Sequence, residues 1–221
     1  MTDEPPTATK TFPTHDEMQA TFDAYAAAVG RLAYHWNLLH EKFGRLFAVV
    51  TGMDRQIAFA IWYSTDSDRT QQSMLKAAII AGFYRWLNTK PPHATDDLIW
   101  LMNEANSLAD YRNTAVHMPV NLYINIVTGG PAEMGPAWLQ GHPRAKRSMG
   151  KRLLDELKWY DVWAETLIRF TDAAEHSLQF VHEPWPEKPQ RPSHGHRSDR
   201  QAPQPRQPRP KSQRQRRSSL A

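Results

Sequence analysis

The sequence contains no cysteine, which excludes disulfides and every zinc site or nucleophile built on a thiolate. No apolar run approaches the roughly 18 residues that a membrane span requires. The stretch from Met1 to Pro13 is polar and proline-bearing, with no apolar core for a secretory signal. A soluble, cytoplasmic protein is the expectation. There is also no glycine-rich phosphate loop, and no Ser/His/Asp set can be assigned. Those absences leave little conventional catalytic equipment.

Charge of one sign is scarce in a second, more local sense. The chain carries a net charge of +4, but residues 184–221 hold 10 Lys/Arg against 2 Asp/Glu. That segment is therefore +8, and residues 1–183 are −4. The basic character belongs to the tail, and the body is mildly acidic. Eight of the 17 prolines also lie in the tail, among Gln, Arg and Ser. Such a composition cannot bury a core, so residues 184–221 are expected to be disordered, as are residues 1–13. After Trp185 the tail has no aromatic residue on which a base could stack.

What is present is helical periodicity. Thr14-x-x-Glu17 matches a capping box. Behind it Met18, Phe22, Tyr25, Val29, Leu32, Trp36, Leu39, Phe43, Leu46 and Val50 step by fours and threes. This predicts one helix of roughly 50 Å at 1.5 Å per residue, stopped by Gly52. Gly30 and Gly44 interrupt it as points of close packing or bending. A short helix is expected around Ile57–Tyr63. After the turn residues Ser64 to Asp68, a third helix should run from Arg69 to Leu87, broken by Pro91-Pro92.

A fourth helix begins near Thr95. Its apolar stripe of Leu98, Leu101, Ala105 and Leu108 continues into Arg112 and Ala115. Arg112 thus falls in the buried phase of its own helix, where a guanidinium needs a partner. Pro119 pushes Met118 out of helical geometry, which places His117 at the helix C-terminus. From Val120 to Ile126 the period becomes two, the pattern of a half-buried strand. Gly129-Gly130-Pro131 would turn it back towards a return strand at Ala137-Trp138-Leu139. A basic loop follows, with Arg144, Lys146, Arg147, Lys151 and Arg152 within nine positions. A last helix spans about Ser148 to His182. The expected fold class is all-α: a bundle of four to five helices over residues 14–183, with a β-hairpin and basic loop inserted at 118–147.

Three Arg/His pairs lie five to seven residues apart: Arg112/His117, Arg169/His176 and Arg191/His196. Only the first has an asparagine after the arginine, a helix end after the histidine and an arginine in buried phase. Asn113 and His117 are four apart and share a helix face. A histidine that titrates near neutrality suits general acid–base work. On Arg112-Asn113-x-x-x-His117, late in a bundle helix behind long amphipathic helices, the chain resembles the HEPN superfamily across residues 14–183.

That resemblance implies a HEPN-like helical bundle and a homodimer in which two motifs share one cleft. It implies a metal-independent endoribonuclease, needing no cofactor, in which the RNA 2′-hydroxyl attacks the neighbouring phosphorus. His117 would move the proton, Arg112 would stabilise charge on the phosphoryl oxygens, and Asn113 would orient one or the other. A toxin or phage-defence role, with an antitoxin or other protein partner, follows by analogy. Pro119 stands where many toxin-type members carry a tyrosine, which sets this chain apart from that subfamily. Two further readings stand beside the enzyme. One is a non-catalytic module of the same fold, binding a protein or nucleotide partner, with Arg112 paired to an acid such as Asp110 or Glu104. The other is an RNA-binding adaptor acting through the basic tail. Arg144, Lys146, Arg147, Lys151 and Arg152 are the expected contacts to RNA phosphates.

His35, His40 and Glu41 do not make a metal site. His35 and His40 are five residues apart and face different sides, unlike helical zinc ligands. They are expected on a solvated or boundary face. Asp96-Asp97 is expected to complement the dipole at its helix start, and the eight tryptophans to build the core or a dimer face.

Overall fold

In the computed structural model, residues 11–86, 89–137, 139 and 141–193 are described, the side chains of 83–86 excepted. The long helix α1 spans His15–Thr51. The Glu17 amide donates to Thr14 Oγ1 at 3.3 Å, and the Thr14 amide donates to Glu17 Oε2 at 2.7 Å. Gly52 ends it at φ 67, a left-handed conformation that glycine adopts without a Cβ clash. The predicted stripe is buried only from Tyr25 onward. Met18 is half-buried and Phe22 is exposed, so the first turns of α1 reach past the bundle.

Asp54 caps α2 (Arg55–Trp62), accepting from the amides of Gln56 and Ile57. Two further helices follow, α3 (Asp68–Trp86) and α4 (Ala94–His117). Met118, the residue before Pro119, is extended at φ −84 and ψ 126, so α4 stops where the proline dictates. The hairpin consists of β1 (Val120–Tyr123) and β2 (Glu133–Pro136), antiparallel, with Val120 opposite Pro136 and Tyr123 opposite Glu133. The helices α5 (Pro143–Arg147) and α6 (Leu153–Gln179) complete the fold.

The core lies where α1 runs along α6, with α3 and α4 closing the sides. Trp36, Leu39, Phe43 and Leu46 of α1 meet Tyr160, Trp163 and Leu167 of α6, all nearly inaccessible to solvent. At the edges of this seam Lys42 Nζ meets Asp172 at 2.7 Å, and His35 Nδ1 meets Asp161 at 2.7 Å. Among the described residues, no helix is long and apolar enough to cross a membrane.

Several details differ from the sequence expectation. The first strand ends at Tyr123, not at Ile126. The return strand is Glu133–Pro136 and includes neither Ala137 nor Leu139, while Trp138 lies outside the described residues. Gly135 permits this, because an added Cβ would stand 2.8 Å from the Tyr123 ring lying across it. The basic loop contains a helical turn, α5, started by Pro143 at its first position. The last helix is shorter than expected, beginning at Leu153 and ending at Gln179.

A last difference concerns the boundary at Pro184. Residues 184–193 do not leave the body but lie along α4 and α6. Trp185 Nε1 donates to Asp97 Oδ2 at 3.0 Å, and Trp159 Nε1 donates to the Pro192 carbonyl at 2.9 Å. The Arg191 guanidinium sits 4.9 Å from the centre of the Trp159 ring. Proline fixes the backbone of this strap in advance, so cations and tryptophan faces can hold it without an apolar period. Lys90 anchors its start, with Nζ donating to the carbonyls of Phe180 at 3.0 Å, Val181 at 3.4 Å and Glu183 at 2.9 Å. The expected disorder of residues 1–10 and 194–221 lies outside the described residues. Thr11, within the described part, accepts from the Gly130 amide at 2.9 Å.

Candidate functional site

The buried phase of α4 delivers Arg112 to the edge of the core, and the acid that meets it comes from α3. Arg112 Nη2 donates to Asp68 Oδ2 at 3.0 Å. Trp36 Nε1 of α1 donates to the same oxygen at 2.9 Å. The guanidinium also stacks over the Trp36 ring, 5.2 Å from its centre. Neither Asp110 nor Glu104 pairs with Arg112. Glu104 instead accepts from Trp163 Nε1 at 3.1 Å. Arg112 Nη1 donates to Asn113 Oδ1 at 2.9 Å, which fixes the neighbouring amide.

His40 joins this network from beneath. Its ring lies 4.6 Å from that of Trp36, and its Nδ1 lies 3.7 Å from Asp68 Oδ1 and 3.3 Å from Gln71 Oε1. Gln72 Nε2 approaches His40 Nε2 at 3.3 Å. A neutral imidazole fits both contacts, accepting from Gln72 at Nε2 and donating to Gln71 from Nδ1. Burial lowers its pKa and the Arg112 charge adds to this, while Asp68 and the bond to Gln71 pull the other way. His40 is therefore buried, at 7% exposure, and not on the solvated face that its spacing from His35 suggests. Five residues apart, the two histidines do diverge; it is His40 that points inward.

Above the network opens a cleft of about 590 Å³ between α3 and α4. Asn103, Asn106, Asp110 and Asn113 recur every three or four residues along one wall, and Arg69, Ser73 and Lys76 stand on the other. Gln72 also lines the cleft, and its Oε1 is buried without a hydrogen-bond partner among the described residues. Asp68, Arg112 and Trp36 form part of the floor.

The three motif residues are thus only partly brought together. Arg112 and Asn113 share the cleft. His117 continues the Asn103–Asn113 stripe one turn further, but it is exposed, does not line the cleft, and has no hydrogen bond or ion pair among the described residues. Of the five basic residues, Arg144 reaches the motif helix, donating from Nη1 to the Asn113 carbonyl at 2.6 Å. Arg147 and Lys146 are exposed on α5. Lys151 pairs with Glu156 at 3.1 Å and Arg152 with Asp155 at 3.5 Å, so both are turned towards the start of α6. Among the described residues, no three His, Asp or Glu side chains gather as metal ligands would.

Sequence reasoning missed Asp68, Trp36, His40, Gln71 and Gln72 as site residues. Asp68 has the composition of a helix start and reads as a turn residue. A signal for His40 did exist: it stands four residues after Trp36 and three before Phe43, inside the buried stripe. Gln71, four before Leu75, has the same character. Each is a polar residue in an apolar phase, like Arg112.

Compared with protein-family models, curated proteins and solved structures, the chain shows no match.

Proposed function

We propose that this chain is a HEPN-type endoribonuclease whose cleavage site is completed by a second copy. The observation that carries the reading is the placement of Arg112. Asp68 and Trp36 hold its guanidinium in one orientation at the floor of an open polar cleft, with 29% of its side chain still exposed. Asn113 is fixed beside it. His117, with no hydrogen bond or ion pair among the described residues, ends the same helix and is free to act at a shared surface. Pairing two such surfaces supplies two imidazoles, which one chain does not.

In the reaction the RNA O2′–P bond forms as the P–O5′ bond breaks. One His117 takes the proton from the 2′-hydroxyl, and the second gives a proton to the departing 5′ oxygen. Arg112 offsets the added charge on the phosphoryl oxygens. Arg144, Lys146 and Arg147 lie beyond the motif end of α4, where an RNA backbone leaving the cleft would pass. Metal independence comes from the resemblance, as do the toxin or phage-defence role and a protein antitoxin.

A second reading has a specific observation in its favour. Two of the Arg112 donors are already used on Asp68 and Asn113, as befits a structural arginine in a non-catalytic module that binds a protein or nucleotide in the cleft. Structured RNA incubated with the protein in EDTA separates the two. Cleavage leaving 2′,3′-cyclic phosphate ends, lost in Arg112→Ala and His117→Ala, supports the enzyme. No cleavage, or equal cleavage by folded variants, overturns it in favour of the binding module.

A further inference from the structure

Beside the end of α4, sharing Asp110 with the polar cleft, is a smaller pocket of about 190 Å³, lined by residues of α1, α4, α5 and α6. Its interior is apolar, built on Tyr25, Leu32, Ala115, Met118, Leu157 and Tyr160. Its mouth is charged. There Arg144, Arg147 and Lys151 face two carboxylates, Asp110 and Glu156. Lys151 and Glu156 neutralise each other at 3.1 Å, and Arg144 is spent on the Asn113 carbonyl. Arg147 has no ion pair among the described residues. An apolar interior under an uncommitted guanidinium is complementary to an amphipathic anion.

Size narrows the class. An apolar cavity of about 150 Å³ accepts a benzene ring, so this pocket has room for one ring and little more. The pocket therefore combines an apolar slot with, at its mouth, a guanidinium that has no ion pair among the described residues.

We propose that this pocket is a binding site for a small aryl carboxylate, its ring between α1 and α6 and its carboxylate on Arg147. The site shares Arg147 with the proposed RNA path and Asp110 with the polar cleft, and Arg144 at its mouth holds the Asn113 backbone.

Phenylacetate is the probe, titrated calorimetrically into the full chain, with phenethylamine and phenylacetamide as controls. We expect phenylacetate to bind at least tenfold more tightly than either control. Arg147→Gln should weaken it about tenfold, the scale of one lost charge-assisted bond. Ala115→Met, which places a larger side chain in the slot, should abolish binding while the melting temperature shows the variant folded. If Ala115→Met does not fold, Leu157→Met supplies the second interior variant and should change affinity at least threefold. Binding of phenethylamine as tight as phenylacetate overturns the proposal. So does affinity unchanged in Arg147→Gln, or no heat of binding at millimolar phenylacetate.

Discussion

Asp68 and Arg112, 44 residues apart in the chain, meet at 3.0 Å through an oxygen that also receives the Trp36 indole at 2.9 Å. One carboxylate thus ties α1, α3 and α4 together. Its side chain is 41% exposed and that of Arg112 29%, so screening makes the charge pair itself worth no more than about 1 kcal/mol. Trp36, only 2% exposed, depends on it more. Asp68→Asn retains an acceptor and should lose about 1 kcal/mol, whereas Asp68→Ala leaves the indole N–H unpaired and should lose about 2–3 kcal/mol. Urea unfolding of the two variants measures the gap. Equal losses would show that the indole bond contributes nothing.

His40 makes the fold sensitive to acid. Burial holds its pKa below the ordinary value of about 6.5. Below that pH the unfolded chain takes up a proton that the folded chain resists. The His40 contribution to stability is therefore complete above about pH 6.5 and is lost as the pH falls towards the folded-state pKa. Wild type should lose more stability between pH 7 and pH 5 than His40→Gln, which has no proton to gain. Parallel pH profiles would refute this.

The two glycines of α1 should respond to alanine with opposite signs. At Gly44 an added Cβ would lie 2.9 Å from Phe59 Cε1 and 3.1 Å from Trp62 Cδ1, where α2 crosses α1. Trp62 is fully buried and has no room to retreat. Gly44→Ala should cost about 1–3 kcal/mol. Nothing stands within 4 Å of the corresponding point at Gly30. Gly30→Ala should gain up to about 1 kcal/mol of helix propensity. Thermal unfolding of the pair gives both signs in one experiment.

The strap sets where the tail can be cut. Asp97 is 3% exposed and is met by the Trp185 indole at 3.0 Å and by Lys188 at 3.1 Å. Ending the chain at residue 183 removes Trp185 and Lys188 and leaves the buried carboxylate with His93 Nε2 at 3.8 Å. At about 2 kcal/mol, that should lower the melting temperature by about 4–8 °C. Trp185→Ala alone should show part of the same loss. The tail's contribution to RNA affinity is therefore tested by ending the chain at residue 193. Unchanged RNA affinity in that shorter chain rules out the adaptor reading.

The sequence by itself determined the long helices and those of their ends that carry a local signal. Thr14 with Glu17, Gly52 and Pro119 act within one turn of themselves, so their effects are local and legible. It also marked Arg112 as an anomaly, because a charge in an apolar phase violates a period that can be counted. It could not supply the partner. Asp68 reads as an ordinary helix start, and only the packing of α3 beside α1 and α4 turns it towards Trp36 and Arg112. Nor could it hold residues 184–193 to the body, since Pro, Lys and Arg carry no period and their tryptophan partners lie on other helices. Periodicity is a property of neighbours in the chain. Which polar residue satisfies which is a property of neighbours in space, and that only the tertiary structure decided.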